Sequence, residues 1–211
     1  MTLGEKSMSK QLFTSLFIDV GGVLLTNGWD RHMREKASHI FELNYEEMNK
    51  RHNLIFDTYE IGKISLDEYL KRVVFDQERS FSIESFKKFM FEQSQPFDEM
   101  IDFIKKIKKD WNLQIVVVSN EGRELMQNRI DQFKMKAFVD IFVVSGFVHL
   151  RKPDSDIYQL ALDLAQVKPE QVIYIDDRPL LAEIGKHIGM TAIQHQNYEQ
   201  TKMILDSLLK R

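Results

Sequence analysis

"SLFIDVGGVLLTNGWD", residues 15–30, sets an acid, Asp19, in a run that is otherwise apolar from Leu16 until Thr26. An ionised carboxylate among apolar groups costs several kcal/mol or more unless it is paired, hydrogen-bonded or bound to a metal. Asp19 therefore needs partners. Leu16, Phe17 and Ile18 form a run too short for a helix and suited to a strand buried on both faces, as in parallel sheets. Gly21 and Gly22 then open a tight turn at the carboxyl end of that strand, where open α/β sheets place their ligands. Taken alone, Asp19 suits a turn or helix cap equally well. The rest of the chain decides.

Three further apolar, β-branched runs resemble the first: "LQIVVVSNEG" at 113–122, "VDIFVVSG" at 139–146 and "QVIYIDDRP" at 171–179, with a weaker one, "MTAIQ", at 190–194. Helical patterns at 122–134, 155–166, 180–188 and 197–209 separate or follow them. Strands alternating with helices imply a parallel sheet with right-handed crossovers. The fold class expected is α/β, a Rossmann-like doubly wound parallel sheet. Between the first two strands, about 30–108, no comparable run occurs and helical spacing prevails. "NYEE" at 44–47, "SLDE" at 65–68 and "SIES" at 82–85 are helix starts, each with a capping residue ahead of an acidic first turn. The aromatic residues of this stretch are read as core packing rather than a stacking platform for bases. The expected division is an α/β core over 1–29 and 97–211 with an inserted helical unit over 30–96, the helix at 97–109 belonging to the core.

The chain has 211 residues, 43% hydrophobic and 29% charged, with a net charge of −3. This is the composition of an ordinary globular protein with no basic footprint for nucleic acid or anionic membrane. The absence of cysteine excludes disulfides, thiolate nucleophiles and Cys-ligated zinc. Lys6 and Lys10 precede the first apolar stretch, but Asp19 interrupts it, and no run reaches the roughly 18 residues of a membrane span. The expectation is a cytoplasmic protein with a loose leader, monomeric or a small homo-oligomer.

Polar groups stand where the apolar runs stop: Asp19 in the first, Ser119 and Asn120 in the second, Lys152 just after the third, and Asp176 and Asp177 in the fourth. Each has a plain structural role open to it, as a cap, a solvated loop lysine or a loop acid pair. In a parallel sheet, however, all these ends share one edge and converge on one cleft. Their chemistry suits phosphoryl transfer. A carboxylate can attack phosphorus and form an aspartyl phosphate. Three acids with a backbone carbonyl suit Mg²⁺, which prefers oxygen ligands. A hydroxyl and a lysine can hold the phosphoryl oxygens.

With these residues in place, the chain resembles the haloacid dehalogenase superfamily of hydrolases. The four signatures are "FIDVGGVL", "VVVSN", "RKPDSDIY" and "YIDD", in that order, and the resemblance runs from about 16 to 194. It implies a helical cap over 30–96, and "EIGKISLDEYL" is similar to caps of epoxide-hydrolase N-terminal domains and small sugar-phosphate phosphatases. It further implies Asp19 as nucleophile, with Ser119 and Lys152 as catalytic and phosphate-holding residues and Asn120 beside them at the substrate. Asp19, the Gly21 carbonyl, Asp176 and Asp177 would bind Mg²⁺, and the substrate would be a small phosphorylated metabolite such as a sugar phosphate.

Two positions depart from the family pattern. Gly21 stands where phosphatases of the family carry a second aspartate as general acid and base, and Leu181 stands where asparagine is common. Three activities therefore stay open: a Mg²⁺-dependent phosphatase, a 2-haloacid dehalogenase-type hydrolase, and a non-catalytic phosphate-binding pseudo-phosphatase. Asp30 and His32 in "NGWDRHM" are candidates for a substitute acid, with solvated surface positions as the alternative. Hinges for the cap are expected near Asn27-Gly28 and Gln95-Pro96.

Overall fold

A computed structural model of the protein describes residues 12–210. The expected leader lies outside the described residues. The chain opens with β1 (Ser15–Ile18) and passes into four helices, α1 (Arg31–Ile40), α2 (Tyr45–Glu60), α3 (Leu66–Val73) and α4 (Ile83–Glu92). It then runs through α5 (Asp98–Trp111), β2 (Gln114–Ser119), α6 (Arg123–Gln132), β3 (Ile141–Val144) and a single turn, α7 (Ser145–Val148). It ends with α8 (Ser155–Ala165), β4 (Val172–Asp176), α9 (Pro179–Ile188), β5 (Thr191–Gln194) and α10 (Tyr198–Leu209).

The strands form one sheet in the order β3-β2-β1-β4-β5, every neighbouring pair parallel. β1 is central, which explains why its run lacks the alternation of a half-exposed strand. Leu16 and Ile18 pack with Ile115, Val117, Ile173 and Ile175 against α5 and α10, while Phe17 faces the other way with Val116, Val118 and Tyr174 against α8. The run at 139–146 divides into β3 and the turn α7, because Ser145 leaves the sheet to bond other segments. Its hydroxyl accepts from Glu121 N at 2.9 Å and donates to Glu60 O at 2.8 Å.

The helix starts fall at the capping residues. Asn44 accepts from Glu47 N, Ser82 accepts from Ser85 N, and Ser65 and Glu68 form a reciprocal capping box; each such cap is worth about 1 kcal/mol. The four helices enclose their own apolar cluster of Trp29, Met48, Tyr59, Tyr69, Phe86 and Met90, joined by Leu125 of α6. Tyr59 and Tyr69 stack with ring centroids 4.9 Å apart. Trp29 Nε1 donates to Tyr69 Oη at 2.8 Å, which leaves the Tyr69 proton for His52 Nδ1 at 2.7 Å. Burial, with Arg34 nearby, pushes the His52 pKa down to about 3, so the ring is a neutral acceptor. The aromatic residues are core.

The two passages between the sheet and the helical unit run side by side. Leu25 bridges Pro96, Thr26 N donates to Gln95 O at 2.9 Å, and Gln95 N donates to Thr26 Oγ1 at 2.9 Å. The expected hinge positions are thus adjacent in space. The far end of the unit also rests on the sheet's loops. Tyr59 lies against Gly122, His149 Nδ1 donates to Ile61 O at 2.7 Å, and Arg151 pairs with Asp57 at 2.5 Å and Glu60 at 2.9 Å. Among the described residues no helix is long and apolar enough to cross a membrane.

Burial pushes the Glu60 carboxyl up to about 7, with Arg151 opposing and Glu121 and Asp57 reinforcing the shift. A carboxyl that binds its proton more tightly when folded contributes stability below its unfolded pKa. That contribution fades as pH rises through the folded value. Glu60→Gln should therefore gain on the parent as pH rises from 5 to 9, by on the order of 3 kcal/mol at the upper end. Urea unfolding of both proteins across that range checks it; a pH-independent difference contradicts it.

Candidate active site

Because β2, β1 and β4 are adjacent and parallel, Ser119, Asp19 and Asp176 finish side by side. Asp19 N donates to Ile175 O at 2.9 Å, which extends the ladder one residue beyond β1 and fixes the nucleophile candidate against β4. Lys152 arrives from the loop after α7, fully enclosed, with Nζ 2.7 Å from Asp176 Oδ2 and 3.2 Å from Asp19 Oδ1. Burial alone would lower the Lys152 pKa, but the Asp19 and Asp176 charges outweigh it and hold the ammonium above its ordinary value. The lysine is charged, and it neutralises two buried acids.

Asp176 is completely enclosed and saturated with donors. Oδ2 accepts from Lys152 Nζ and from Tyr174 Oη at 2.5 Å, and Oδ1 accepts from Arg178 N at 2.9 Å. Asp177 is half-buried beside it. Burial, then the charges of Asp19 and Asp176, push its carboxyl up to about 6. One oxygen from each of Asp19, Asp176 and Asp177 lies within 4.8 Å of the others. Asp19 Oδ1 is buried and, though within ion-pair distance of Lys152, makes no hydrogen bond. An orphaned buried oxygen among crowded carboxylates fits a hard divalent cation such as Mg²⁺, whose ligands are oxygens.

The glycines after Asp19 have different reasons. Gly22 has φ +75° and lies directly beneath Asp177, so any side chain there would be strained and would strike that carboxylate. At Gly21 a Cβ would sit 2.6 Å from Asn27 Oδ1, so the asparagine amide fills the space that a side chain at 21 would enter.

Asp19, Gly21, Asn27, Ser119, Asn120, Glu121, Arg129, Lys152, Arg178 and Leu181 enclose a recess of about 40 Å³. Every expected site residue except Asp176 and Asp177 lines it, and those two adjoin it through the acid cluster they form with Asp19. Asn120 has a more specific place than beside a substrate. Its amide donates to Lys152 O and accepts from Lys152 N, both at 2.8 Å, and so clamps the lysine's backbone. Asp30 and His32 are not at the recess. Asp30 caps α1 by accepting from Met33 N at 2.9 Å, and the His32 side chain is 82% exposed near Glu35. A larger groove of about 530 Å³ lies beyond Gly22, between the starts of α5 and α10, but Asp19, Ser119 and Lys152 do not border it.

Sequence reasoning passed over Glu121 and Arg129. Arg129 is buried on α6; its guanidinium pairs with Glu121 Oε2 at 2.5 Å, donates from Nε to Ser94 Oγ at 2.9 Å, and donates from Nη2 to Thr26 O at 3.3 Å. One side chain therefore ties both passages of the helical unit to the loop that follows Ser119. Burial, reinforced by Asp19, raises the Glu121 pKa above its ordinary value despite the adjoining guanidinium. The available signal was an arginine and an acid eight residues apart, and nothing in helical periodicity marks such a pair.

The model of the haloacid dehalogenase-like hydrolases matches residues 32–194, most of the chain, and the protein belongs to that family. Flavin mononucleotide hydrolase 1 of Arabidopsis thaliana is 27% identical over 159 residues, which are 75% of this chain and 63% of that one. Phosphorylated carbohydrates phosphatase of Thermotoga maritima is 24% identical over 140 residues, 66% of this chain and 60% of that one. The chain thus spans about three fifths of the length of these relatives. A HAD family enzyme from Bacteroides thetaiotaomicron superposes with a TM-score of 0.78 at 18% identity, covering 91% of this chain and 98% of that one. The same enzyme has also been solved with magnesium and inorganic phosphate.

Removing one partner of a buried ion pair leaves an uncompensated charge and typically costs about 3–5 kcal/mol, whereas replacing both by apolar groups is often near neutral. Arg129→Met should therefore lower stability by that amount at pH 8, and Arg129→Met with Glu121→Leu should regain most of it. Urea unfolding of the three proteins decides. A single-variant cost below about 1 kcal/mol would show that the pair does not tie the passages together.

Proposed function

We propose that the protein is a Mg²⁺-dependent phosphatase of a small phosphorylated metabolite, acting through an aspartyl phosphate. The observation that carries this reading is Asp19 itself, buried at the end of the central strand with a charged lysine beside one oxygen and two further acids within reach. Two relatives named as a flavin mononucleotide hydrolase and a phosphorylated carbohydrates phosphatase support the substrate class.

In this reading Asp19 attacks phosphorus. The new bond joins its carboxylate oxygen to phosphorus, the bond to the leaving oxygen breaks, and that oxygen keeps the electron pair. The Ser119 hydroxyl and the Lys152 ammonium hold phosphoryl oxygens as their charge shifts, and Asn120 acts by holding Lys152 in place. Water then attacks phosphorus, giving inorganic phosphate and restoring the Asp19 carboxylate. Asp19, the Gly21 carbonyl, Asp176 and Asp177 would hold Mg²⁺, which when bound offsets the repulsion between carboxylate and phosphate. Asp176 also fixes Lys152.

The recess of about 40 Å³ is too small for a sugar phosphate. The helical unit over 30–96 is read as a cap that lifts to admit substrate, flexing at the adjacent passages, and its inner face selects the substrate. Carbon–halogen hydrolysis would leave Asp177 without a task.

Asp19→Asn should abolish phosphate release across a panel of sugar, nucleotide and acyl phosphates while leaving the fold intact by circular dichroism. Excess chelator should silence the parent, and added Mg²⁺ should restore it. Equal phosphate release by variant and parent removes Asp19 as nucleophile. Full turnover in chelator, with halide released from 2-haloacids, assigns the dehalogenase reaction instead.

A further inference from the structure

A leaving oxygen departs most easily when an acid protonates it, a contribution typically worth about 10²–10⁴ in rate. The walls of the recess hold no acid free to do so. Asp19 is spent as nucleophile. Glu121 is tied to Arg129, and Lys152 is locked between Asp19 and Asp176. Arg129 and Arg178 do not give up protons at neutral pH, Leu181 is apolar, and Asp30 and His32 lie elsewhere.

What the structure places beside Gly21 is a carboxamide. Asn27 lies on the first passage to the helical unit and lines the recess with Asp19, Ser119 and Lys152. Its Oδ1 is 2.6 Å from where a Cβ on Gly21 would be. Its position is held by the short turn after Asp19, in which Gly22 N donates to Leu25 O at 2.7 Å, and by the pairing of Thr26 with Gln95. Asn27 is exposed.

Resting on the phosphatase reading, we propose that Asn27 faces the leaving oxygen and makes the enzyme selective for phosphates whose leaving group is a weak base: acyl, aryl and anomeric sugar phosphates rather than simple alkyl phosphates. The Asn27 amide can donate a hydrogen bond to the departing oxygen, but a carboxamide has no proton to transfer near pH 7. The oxygen therefore leaves with its electron pair and takes its proton from solvent water, and the stability of that anion sets the rate. Asn27 is a specificity-determining residue, and it differs from an acid of the same shape by one functional group.

Asn27→Asp exchanges the amide for a carboxyl without adding volume, a cleaner change than an aspartate at 21, which would displace Asn27. The experiment measures kcat/KM against pH for parent, Asn27→Asp and Asn27→Ala on acetyl phosphate, a graded set of aryl phosphates and an alkyl phosphate. The parent should fall steeply as leaving-group basicity rises. Asn27→Asp should gain about 10²-fold or more on the alkyl phosphate, flatten that slope, and acquire a limb on which activity falls as its carboxyl ionises. Asn27→Ala should steepen the slope further, because the departing oxygen loses its hydrogen bond, and this variant tests the claim even if Asn27→Asp fails to fold. A parent indifferent to leaving-group basicity overturns the inference, as does a folded Asn27→Asp with the parent's slope and pH profile, or a slope in Asn27→Ala no steeper than the parent's. No turnover of any phosphate by the parent overturns the phosphatase reading and this inference with it.

Discussion

Lys152 buried between Asp19 and Asp176 is the interaction around which the site is arranged. Three charges at the ends of neighbouring elements are tolerable only together, since any one alone would carry an uncompensated desolvation cost of several kcal/mol. The sheet order supplies the arrangement. β1 and β4 are adjacent, so their terminal acids lie side by side, and Asn120 at the end of β2 grips the lysine's backbone from the other flank. Tyr174 and Arg178 N complete the donors around Asp176. With one positive charge set against three carboxylates, the cluster keeps a deficit of positive charge. The Asp177 carboxyl, raised first by burial and then by the charges of Asp19 and Asp176, is its local sign.

A second charge pair joins the recess to the helical unit. Arg129 reaches Glu121 in the loop after Ser119 and both passages of the helical unit, so the recess and the base of the unit share one side chain. The far end of the unit rests on the loops after β2 and β3 through Tyr59, Glu60 and Ile61. Held at both ends, the unit closes the recess to about 40 Å³. Movement of either end would require release of hydrogen bonds in the same loops that present Ser119 and Lys152.

The sheet was legible because a central parallel strand has to be apolar on both faces, so four short β-branched runs and their terminal polar residues stood out. Asn44, Ser65 and Ser82 were legible because capping is local chemistry within four residues. Arg129 was not, since its partners lie 8, 35 and 103 positions away. Asn120 was read as a substrate contact because side-chain type alone does not show that its amide is engaged by a backbone 32 residues distant. Asp30 and His32 looked promising because they lie just past the expected hinge, yet α1 begins there: the acid becomes its cap and the histidine turns outward. Asn27 was read only as a hinge position beside Gly28, because its place on the recess depends on how the turn after Asp19 folds back.

The central claim is that Asp19 takes the phosphoryl group. The direct measurement mixes the enzyme and Mg²⁺ with labelled acetyl phosphate, quenches in acid within milliseconds, and maps the label on peptides. The account predicts a hydroxylamine-labile phosphoryl group on the peptide containing Asp19, absent from Asp19→Asn. Label on another residue, or phosphate release by Asp19→Asn with no labelled peptide, would contradict it.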